Sequence, residues 1–292
     1  MSESKDRLIK GLALHESIRV TLIHNTMTVN EAINRHDLWP TATSVLGKTL
    51  TMGQIMGSML KGEEALTIKL NGNGPLGNII VDANAKGMVR GYVDHPHVSF
   101  VGAKGINDAM GIGTDGFLDV IKDLKMKDLF TSSIAITGDI ASDFTVYFLE
   151  SEQTHTAILL GILVGVDNRC IVSGGLLLQL LPNATLETID FIEARLHTIK
   201  NVSELLLQNS LSDLFSILFD NDWKIVEERE VSFFCGCSKE QFARSLITLG
   251  QDELTKIKDE DHKIEAVCHY CNSHYHFDEK EIEQLIREIN HD

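Results

Sequence analysis

The chain has 292 residues, 43% of them hydrophobic and 23% charged, and its formal net charge is −16. This composition is typical of a globular protein with one or two domains. The acidic balance argues against nucleic acid and against an anionic membrane surface as partners, because both favour clustered lysine and arginine.

The start of the chain and the length of its apolar runs indicate the cellular compartment in which we expect the protein. The first residues are polar, and no long apolar segment follows them, so no secretory signal is predicted. The most apolar run, residues 157–166, is too short for a membrane-spanning helix. We therefore expect a cytoplasmic protein without a membrane partner, in which thiols stay reduced and clustered cysteines bind metal more often than they form disulfides.

The first two thirds of the chain mix strand and helix patterns. Alternating apolar residues predict strands at 8–14, 18–23, 66–70, 78–82, 88–92, 116–121, 133–136, 155–166 and 170–173. Apolar residues recurring every three or four positions predict helices at 28–35, 41–60 and 140–149. Glycine- and asparagine-rich turns join several strands and favour hairpins. We expect an α+β core domain at 1–182, with a mixed or antiparallel sheet and helices packed on one face.

Pro182 ends this mixture and a different pattern follows. Leucine and isoleucine recur at helical spacing from 183 to 222 without a strand signal, which predicts a helical linker at 183–230. A small last domain is predicted at 231–292. Capping-box patterns at Ser238 and Asp278 predict helices at 239–249 and 279–290, and short strands are expected at 263–267 and 275–277.

Two motifs in the core domain resemble chemical sites only superficially. Residues 111–116 read G-x-G-x-x-G, but β-like residues follow where a dinucleotide site requires a helix, so we predict a glycine-rich loop. Residues 47–49 read Gly-Lys-Thr inside a helix pattern, without the upstream glycine of a phosphate loop. Cys170 lies among apolar residues, and a small buried side chain is expected there rather than a nucleophile.

Four of the five cysteines form two close pairs near the end of the chain, separated by thirty residues. Two turns that each supply two thiolates provide the ligands of a tetrahedral zinc site. We therefore predict one Zn(II) per chain, bound by Cys235, Cys237, Cys268 and Cys271. Four histidines lie nearby, at 262, 269, 274 and 276, but the four thiolates already fill a tetrahedral shell.

The size of the last domain indicates what zinc contributes. Its 62 residues hold 20 apolar side chains besides cysteine, and a core of that size seldom supplies more than about 3–5 kcal/mol. Structural zinc in small finger peptides contributes about 10–16 kcal/mol, so the metal decides whether such a domain folds. A permanently structural site is the commoner case for such clusters. Alternatively, each close pair is able to form its own disulfide, which would remove both ligands of a turn.

Several motifs outside the cysteines occur in the order found in one known family, and they cover nearly the whole chain. They are Leu60-Lys61-Gly62-Glu63-Glu64 with Leu66-Thr67, Gly72-Asn73-Gly74-Pro75-Leu76, Val89-Arg90-Gly91-Tyr92, Tyr147-Phe148 leading to Ser151-Glu152-Gln153-Thr154, and Gly174-Gly175 leading to Gln179-Leu180-Leu181-Pro182. With the cysteine spacing, they resemble the family of the 33 kDa redox-regulated chaperonin, a heat-shock protein. Residues 130–136 depart most from its pattern.

The resemblance implies a cytoplasmic chaperone that holds unfolded or aggregating proteins without ATP and is not an enzyme. In reducing conditions Cys235, Cys237, Cys268 and Cys271 would bind zinc. Peroxide or hypochlorite, often with heat, would form Cys235–Cys237 and Cys268–Cys271 disulfides and release the metal. The zinc domain and the linker would then unfold and the protein would form a homodimer, with the core domain serving client binding and dimerisation.

Two other classes of function remain open from the residues alone. One is a constitutive interaction module with a static structural zinc site. The other is a metal-clamped enzyme acting through residues 1–181, although that region supplies no recognisable catalytic set. The response of the zinc site to oxidants distinguishes the chaperone from both.

Overall fold

The computed structural model describes residues 5–103 and 105–289. The chain divides into two compact units, the first ending at Phe234 and the second beginning at Cys235. Within the described ranges, no helix combines the length and the apolar character needed to cross a membrane.

The first unit contains thirteen strands and seven helices among the described residues. The strands are β1 (Arg7–Ala13), β2 (Ile18–His24), β3 (Ala65–Gly72), β4 (Asn78–Asn84), β5 (Met88–Val93), β6 (Val101–Gly102), β7 (Gly105–Ile106), β8 (Gly116–Asp123), β9 (Phe130–Ala135), β10 (Thr156–Val164), β11 (Cys170–Leu180), β12 (Trp223–Glu230) and β13 (Ser232–Phe233). The helices are α1 (Thr26–His36), α2 (Pro40–Gly57), α3 (Asp108–Ile112), α4 (Ile140–Glu150), α5 (Leu186–Thr198), α6 (Val202–Gln208) and α7 (Leu211–Phe219).

Eleven of these strands form two large sheets, whereas the sequence predicted one, and β6 and β7 pair with each other as a separate small sheet. The five-stranded sheet has the order β10-β11-β2-β1-β12, and all neighbours are antiparallel. The six-stranded sheet has the order β13-β5-β4-β3-β8-β9, with only the β13–β5 pair parallel. The predicted α+β class with mixed and antiparallel sheets is confirmed. The number of sheets could not be predicted because strand order depends on pairing between distant segments.

Helix α2 lies between the two sheets, which corrects the prediction of helices on one face only. Sixteen of its eighteen residues are buried, as expected for a helix with neighbours on all sides. A Cβ atom at Gly47 would lie 2.6 Å from Ile162 of β10, and one at Gly53 would lie 2.9 Å from Val81 of β4. The glycines of this helix therefore allow both sheets to approach its backbone.

The five-stranded sheet is covered on its other face by helices α5, α6 and α7. Side chains from these helices and from the sheet form a second apolar core, which includes Val20, Leu176, Leu206, Phe215 and Leu218. The predicted linker range 183–230 thus contains three helices packed on the core domain's own sheet. The helical prediction is wrong for the last part of this range, because residues 223–230 form the edge strand β12. The charged residues of this strand hide the alternation of apolar and polar residues that would have predicted it. As functional assignments, the domain ranges 1–182, 183–230 and 231–292 stay a prediction.

The glycine-rich motif at 111–116 joins the end of α3 to the start of β8. This helix-to-strand order is the reverse of the strand-to-helix order that a dinucleotide fingerprint needs. Gly113 adopts a φ of +88°, which glycine tolerates better than other residues. The prediction of a glycine-rich loop is confirmed.

The second unit contains three helices and one hairpin among its described residues. They are α8 (Lys239–Ile247), α9 (Gln251–Asp261), β14 (Lys263–Val267), β15 (His274–Asp278) and α10 (Glu279–Ile289). The predicted end of the last helix, residue 290, lies outside the described residues. The fully buried apolar core is small and consists of Leu254, Phe277, Ile282 and Leu285. This unit therefore has little apolar burial with which to stabilise its own fold.

Candidate metal centre

The first pair of cysteines, Cys235 and Cys237, lies in the segment just before α8. Ser238 caps this helix: its hydroxyl accepts a hydrogen bond from the Gln241 backbone N–H at 3.3 Å. The Gln241 side chain accepts one from the Ser238 backbone N–H at 3.2 Å, which completes the predicted capping box. The cap thus fixes the chain immediately after Cys237.

The second pair lies in the tight turn between β14 and β15. The carbonyl of Cys268 accepts hydrogen bonds from the backbone N–H of Cys271 at 3.3 Å and of Asn272 at 2.7 Å. The Cys268 N–H donates to the carbonyl of Ser273 at 2.9 Å, and Asn272 has a left-handed φ of +54°. This turn points both sulfur atoms to the same place, as the C-x-x-C spacing predicts.

The four sulfur atoms come together in one cluster. All four Sγ atoms lie within 4.8 Å of one another. Cys235 Sγ is 3.8 Å from Cys268 Sγ, and Cys237 Sγ is 3.3 Å from Cys271 Sγ. Four sulfurs around a tetrahedral zinc, with Zn–S bonds of about 2.3 Å, lie about 3.8 Å apart. The donor set and its spacing therefore fit a zinc ion, and these thiols can hold a metal.

Burial and neighbours distinguish the four clustered thiols from the nearby histidines. Cys268 and Cys271 are buried, while Cys235 and Cys237 are half-buried. No histidine among the described residues joins the four-thiol cluster. His274, for example, places its Nδ1 2.6 Å from a carboxylate oxygen of Glu265. The arrangement agrees with four sulfur ligands and no imidazole.

Two polar side chains near the sulfurs were not predicted from the sequence. The Tyr275 hydroxyl lies 3.1 Å from Cys237 Sγ and donates to the Cys237 carbonyl at 3.0 Å. The Ser273 hydroxyl lies 3.2 Å from Cys271 Sγ. In the sequence, the only indication that these two residues lie near the sulfurs was their position, two and four residues after Cys271. Hydrogen bonds of this kind orient sulfur ligands and adjust their basicity.

The surroundings shift the pKa values of the thiols in different directions. Burial raises the pKa of Cys268 to about 12, and it also raises the pKa of Cys237. Burial acts in the same direction on Cys271, but hydrogen bonds with the side chain and backbone of Ser273 outweigh it and lower that pKa to about 7. The hydrogen bond to Cys237 raises the pKa of Tyr275 to about 12, so its hydroxyl remains protonated.

The fifth cysteine, Cys170, lies in the first unit and is buried at the start of β11. Its backbone N–H donates to Asn30 Oδ1 at 3.0 Å, and its carbonyl accepts from Asn30 Nδ2 at 2.8 Å. Burial raises the pKa of its thiol to about 12. The prediction of a small buried side chain is confirmed, and its low reactivity stays a prediction.

Comparisons with known proteins agree along the whole chain. The family model described as "Hsp33 protein" matches residues 6–278. The chain is 43% identical over 290 residues to the 33 kDa chaperonins of Bacillus cereus (strain B4264) and Bacillus anthracis (strain A0248), covering 98% of this chain and 100% of each relative. The crystal structure of the 33 kDa chaperonin from Thermotoga maritima superposes with a TM-score of 0.92 at 30% identity, covering 99% of this chain and 100% of that one.

Proposed function

The chain belongs to the Hsp33 family, and from that premise we propose that it is a redox-regulated chaperone that holds unfolding proteins without ATP. The observation that carries the proposal is the cluster of four thiols from two turns, in a unit with a very small apolar core. The membership supports client binding, since the relatives are named chaperonins. The thiol cluster supports a switch that responds to oxidants.

In the reduced resting state, Cys235, Cys237, Cys268 and Cys271 would hold one zinc ion. When bound, the metal supplies about 10–16 kcal/mol of folding free energy in small zinc domains, more than a core of this size provides. The chain's own residues complete the site: the Ser238 cap fixes one turn, and the Cys268 carbonyl closes the other. The fold of the second unit would thus depend on four reduced thiolates.

Oxidation would consume those thiolates. A thiolate attacks a peroxide oxygen and breaks the O–O bond, which yields a sulfenic acid and hydroxide, and a proton from solvent converts the hydroxide to water. A second thiol then displaces water from the sulfenic acid to form a disulfide, so one peroxide becomes two waters as two thiols lose two protons and two electrons. Because every Sγ lies within 4.8 Å of the other three, their positions permit more than one pairing. The pairing Cys235–Cys237 and Cys268–Cys271 follows the family pattern.

Loss of the four thiolates would release zinc and unfold the second unit. We propose that the helical linker 183–230 also detaches, because most of its residues are exposed or half-buried. Its buried residues are Ile192, Ser203, Leu206, Leu214, Phe215, Leu218 and Phe219. Detachment would uncover the apolar face of the five-stranded sheet, including Val20, Leu176 and Leu178. In this account, residues 1–182 bind clients and form the oxidised homodimer, and residues 231–292 form the redox switch.

The proposed setting is the cytoplasm, where reduced thiols are the resting state. The partners are unfolded or aggregating proteins, and neither nucleic acid nor membrane is expected, given the net charge of −16. We propose that the chain has no catalytic activity. A static zinc site that only supports an interaction module is the second candidate, because the same sulfur cluster also fits a permanent structural role.

Light scattering from a heat-unfolded client enzyme tests the proposal. We expect the reduced, zinc-loaded chain to leave aggregation unchanged, and the chain treated with peroxide and mild heat to suppress it without ATP. The Cys170→Ser variant is the matched control and should respond like the wild type, because Cys170 lies outside the cluster. Equal suppression by the reduced and oxidised chains would instead support the static module.

A further inference from the structure

Strands β1 and β12 carry opposite charges where they face each other. Three basic side chains at the β1 edge each pair with a glutamate of β12. The pairs are Lys5–Glu230 at 2.8 Å, Arg7–Glu228 at 2.6 Å and Lys10–Glu227 at 3.2 Å. The antiparallel register places these side chains directly opposite or diagonal to each other. Charge therefore specifies how β12 lies on β1.

Apart from Trp223, whose ring stacks on Phe215 at 5.2 Å, the residues of β12 are not packed against the second apolar core. None of its eight residues is buried, whereas each of the other four strands in the sheet has at least two buried residues. Val226 is 64% exposed and has no facing residue on β1, because the register shifts between Lys10 and Gly11. Exposed ion pairs contribute little to stability. A strand held in this way can be exchanged for a similar one at small cost.

Removal of β12 would turn β1 into the edge of the sheet. Its backbone N–H and C=O groups would then be open to another extended chain. The apolar Leu8 and Ile9 are already buried under the sheet's own cores. Besides these backbone hydrogen-bonding groups, the exposed edge of β1 would present a row of basic side chains. Such a row disfavours pairing with an uncharged apolar strand.

We propose that the edge of β1 is a docking strand for an extended acidic segment of another polypeptide, and that β12 is its internal competitor. The inference rests on the proposed function in one respect: oxidation is the event that would detach β12 from β1. In β12, Glu228 and Glu230 pair on one face of the strand, and Glu227 pairs on the other. A partner therefore needs acidic residues at positions i, i+1 and i+3.

Lys10 makes an apolar partner unfavourable. Its side chain is only 17% exposed, and its ammonium group contacts Glu227 and the carbonyl of Ser58 at the end of α2. An apolar strand at this edge would leave that half-buried charge without its carboxylate, which is costly. Charge complementarity thus selects the acidic segment over other extended chains.

Fluorescence anisotropy of labelled peptides with the full-length chain tests the inference. One peptide has the sequence of residues 223–231, Trp-Lys-Ile-Val-Glu-Glu-Arg-Glu-Val, and the other has lysine at its three glutamate positions. The reduced, zinc-loaded Glu228→Lys/Glu230→Lys variant places like charges beside Lys5 and Arg7, which weakens the pairing of its own β12 with β1. We expect it to bind the acidic peptide at least about tenfold more tightly than the lysine peptide, with a preference that weakens in high salt.

A second variant, in which the charge of the β1 edge is reversed, tests the inference in the opposite direction. In Lys5→Glu/Arg7→Glu, β12 is again repelled but the edge is acidic, so the lysine peptide should bind more tightly. Glu260→Lys/Asp261→Lys changes the net charge as much as the first variant does, within the last turn of α9, and should bind both peptides as weakly as the reduced wild type does. The same preference in both edge variants, or no preference in either, would overturn the inference.

The oxidised wild type separates this inference from the proposed function. Charge-selective binding by the variants but not by the oxidised wild type would support the docking strand and contradict the release of β12 by oxidation. Loss of the preference in both variants, with oxidised wild type still suppressing aggregation, would overturn the docking strand alone.

Discussion

The sulfur atoms of Cys237 and Cys271 lie 3.3 Å apart, although the residues are 34 positions apart in the chain. They belong to two different turns, and the four sulfur atoms that these turns supply lie within 4.8 Å of one another. The apolar core that supports this meeting has four buried side chains. Thiols held this close can share one metal ion, and the proposed function makes the fold of the second unit depend on that ion.

Replacement of one ligand should prevent stable metal binding. We expect Cys271→Ala to lower bound zinc from one per chain to a small fraction under reducing conditions, because three thiolates leave the tetrahedral site incomplete. The second unit should then lose helical circular dichroism. Cys170→Ser is the matched control and should keep its full zinc content. A full zinc content in Cys271→Ala would show that another side chain completes the site.

Removal of the metal should unfold one unit and spare the other. A strong chelator in the presence of a reductant should greatly speed amide hydrogen exchange within residues 235–289, since about 10–16 kcal/mol of stabilisation is lost. Strands β1, β2, β10 and β11 should keep their protection, because the core that they form with α2 includes no residue of the linker 183–230. Retained protection in residues 235–289 would mean that the second unit folds without metal.

The cysteine spacing was sufficient to predict that the four thiols form one cluster, because two short spacings define two turns. The positions of Ser273 and Tyr275 could not be predicted, since each depends on how the β14–β15 hairpin places its side chains. Helix α9 was missed because its sequence is polar on nearly every side, with Leu254 as its single buried residue. Burial of such a helix depends on tertiary packing, which overrides local pattern.

Cys170 should react slowly with alkylating agents. Its thiol is buried and its pKa is raised to about 12, so almost none of it is the reactive thiolate near neutral pH. Mass spectrometry of the metal-free chain with iodoacetamide should show labelling of the four clustered cysteines first. The raised folded pKa also means that the stability contributed by this neutral thiol is lost progressively as pH rises from about 8.5 to about 12. Early labelling of Cys170 would contradict its assignment as a buried side chain.

Tyr147 should stabilise the first unit through Glu152. The buried Tyr147 hydroxyl donates to the Glu152 carboxylate at 2.7 Å, and Lys122 pairs with the same oxygen. Burial raises the pKa of Glu152, but these two hydrogen bonds outweigh it and hold the pKa below its ordinary value. The Tyr147→Phe change should therefore lower the free energy of unfolding by about 1.5–3 kcal/mol near neutral pH.

The pH dependence of that effect checks its cause. A depressed carboxylate pKa stabilises the fold above the unfolded value of about 4.3, and this contribution is lost as pH falls through the folded value. The penalty of Tyr147→Phe should shrink over the same range. In a Glu152→Gln background the penalty should be smaller and independent of pH. An unchanged penalty in that background would show that the hydroxyl acts through another group.

We propose that oxidation of the four cysteines removes the metal and thereby activates the chaperone. A chromogenic zinc chelator and client light scattering, recorded in the same sample during peroxide treatment, test it most directly. We expect release of one zinc per chain, in step with suppression of aggregation and without ATP. Suppression that rises while zinc stays bound would contradict it.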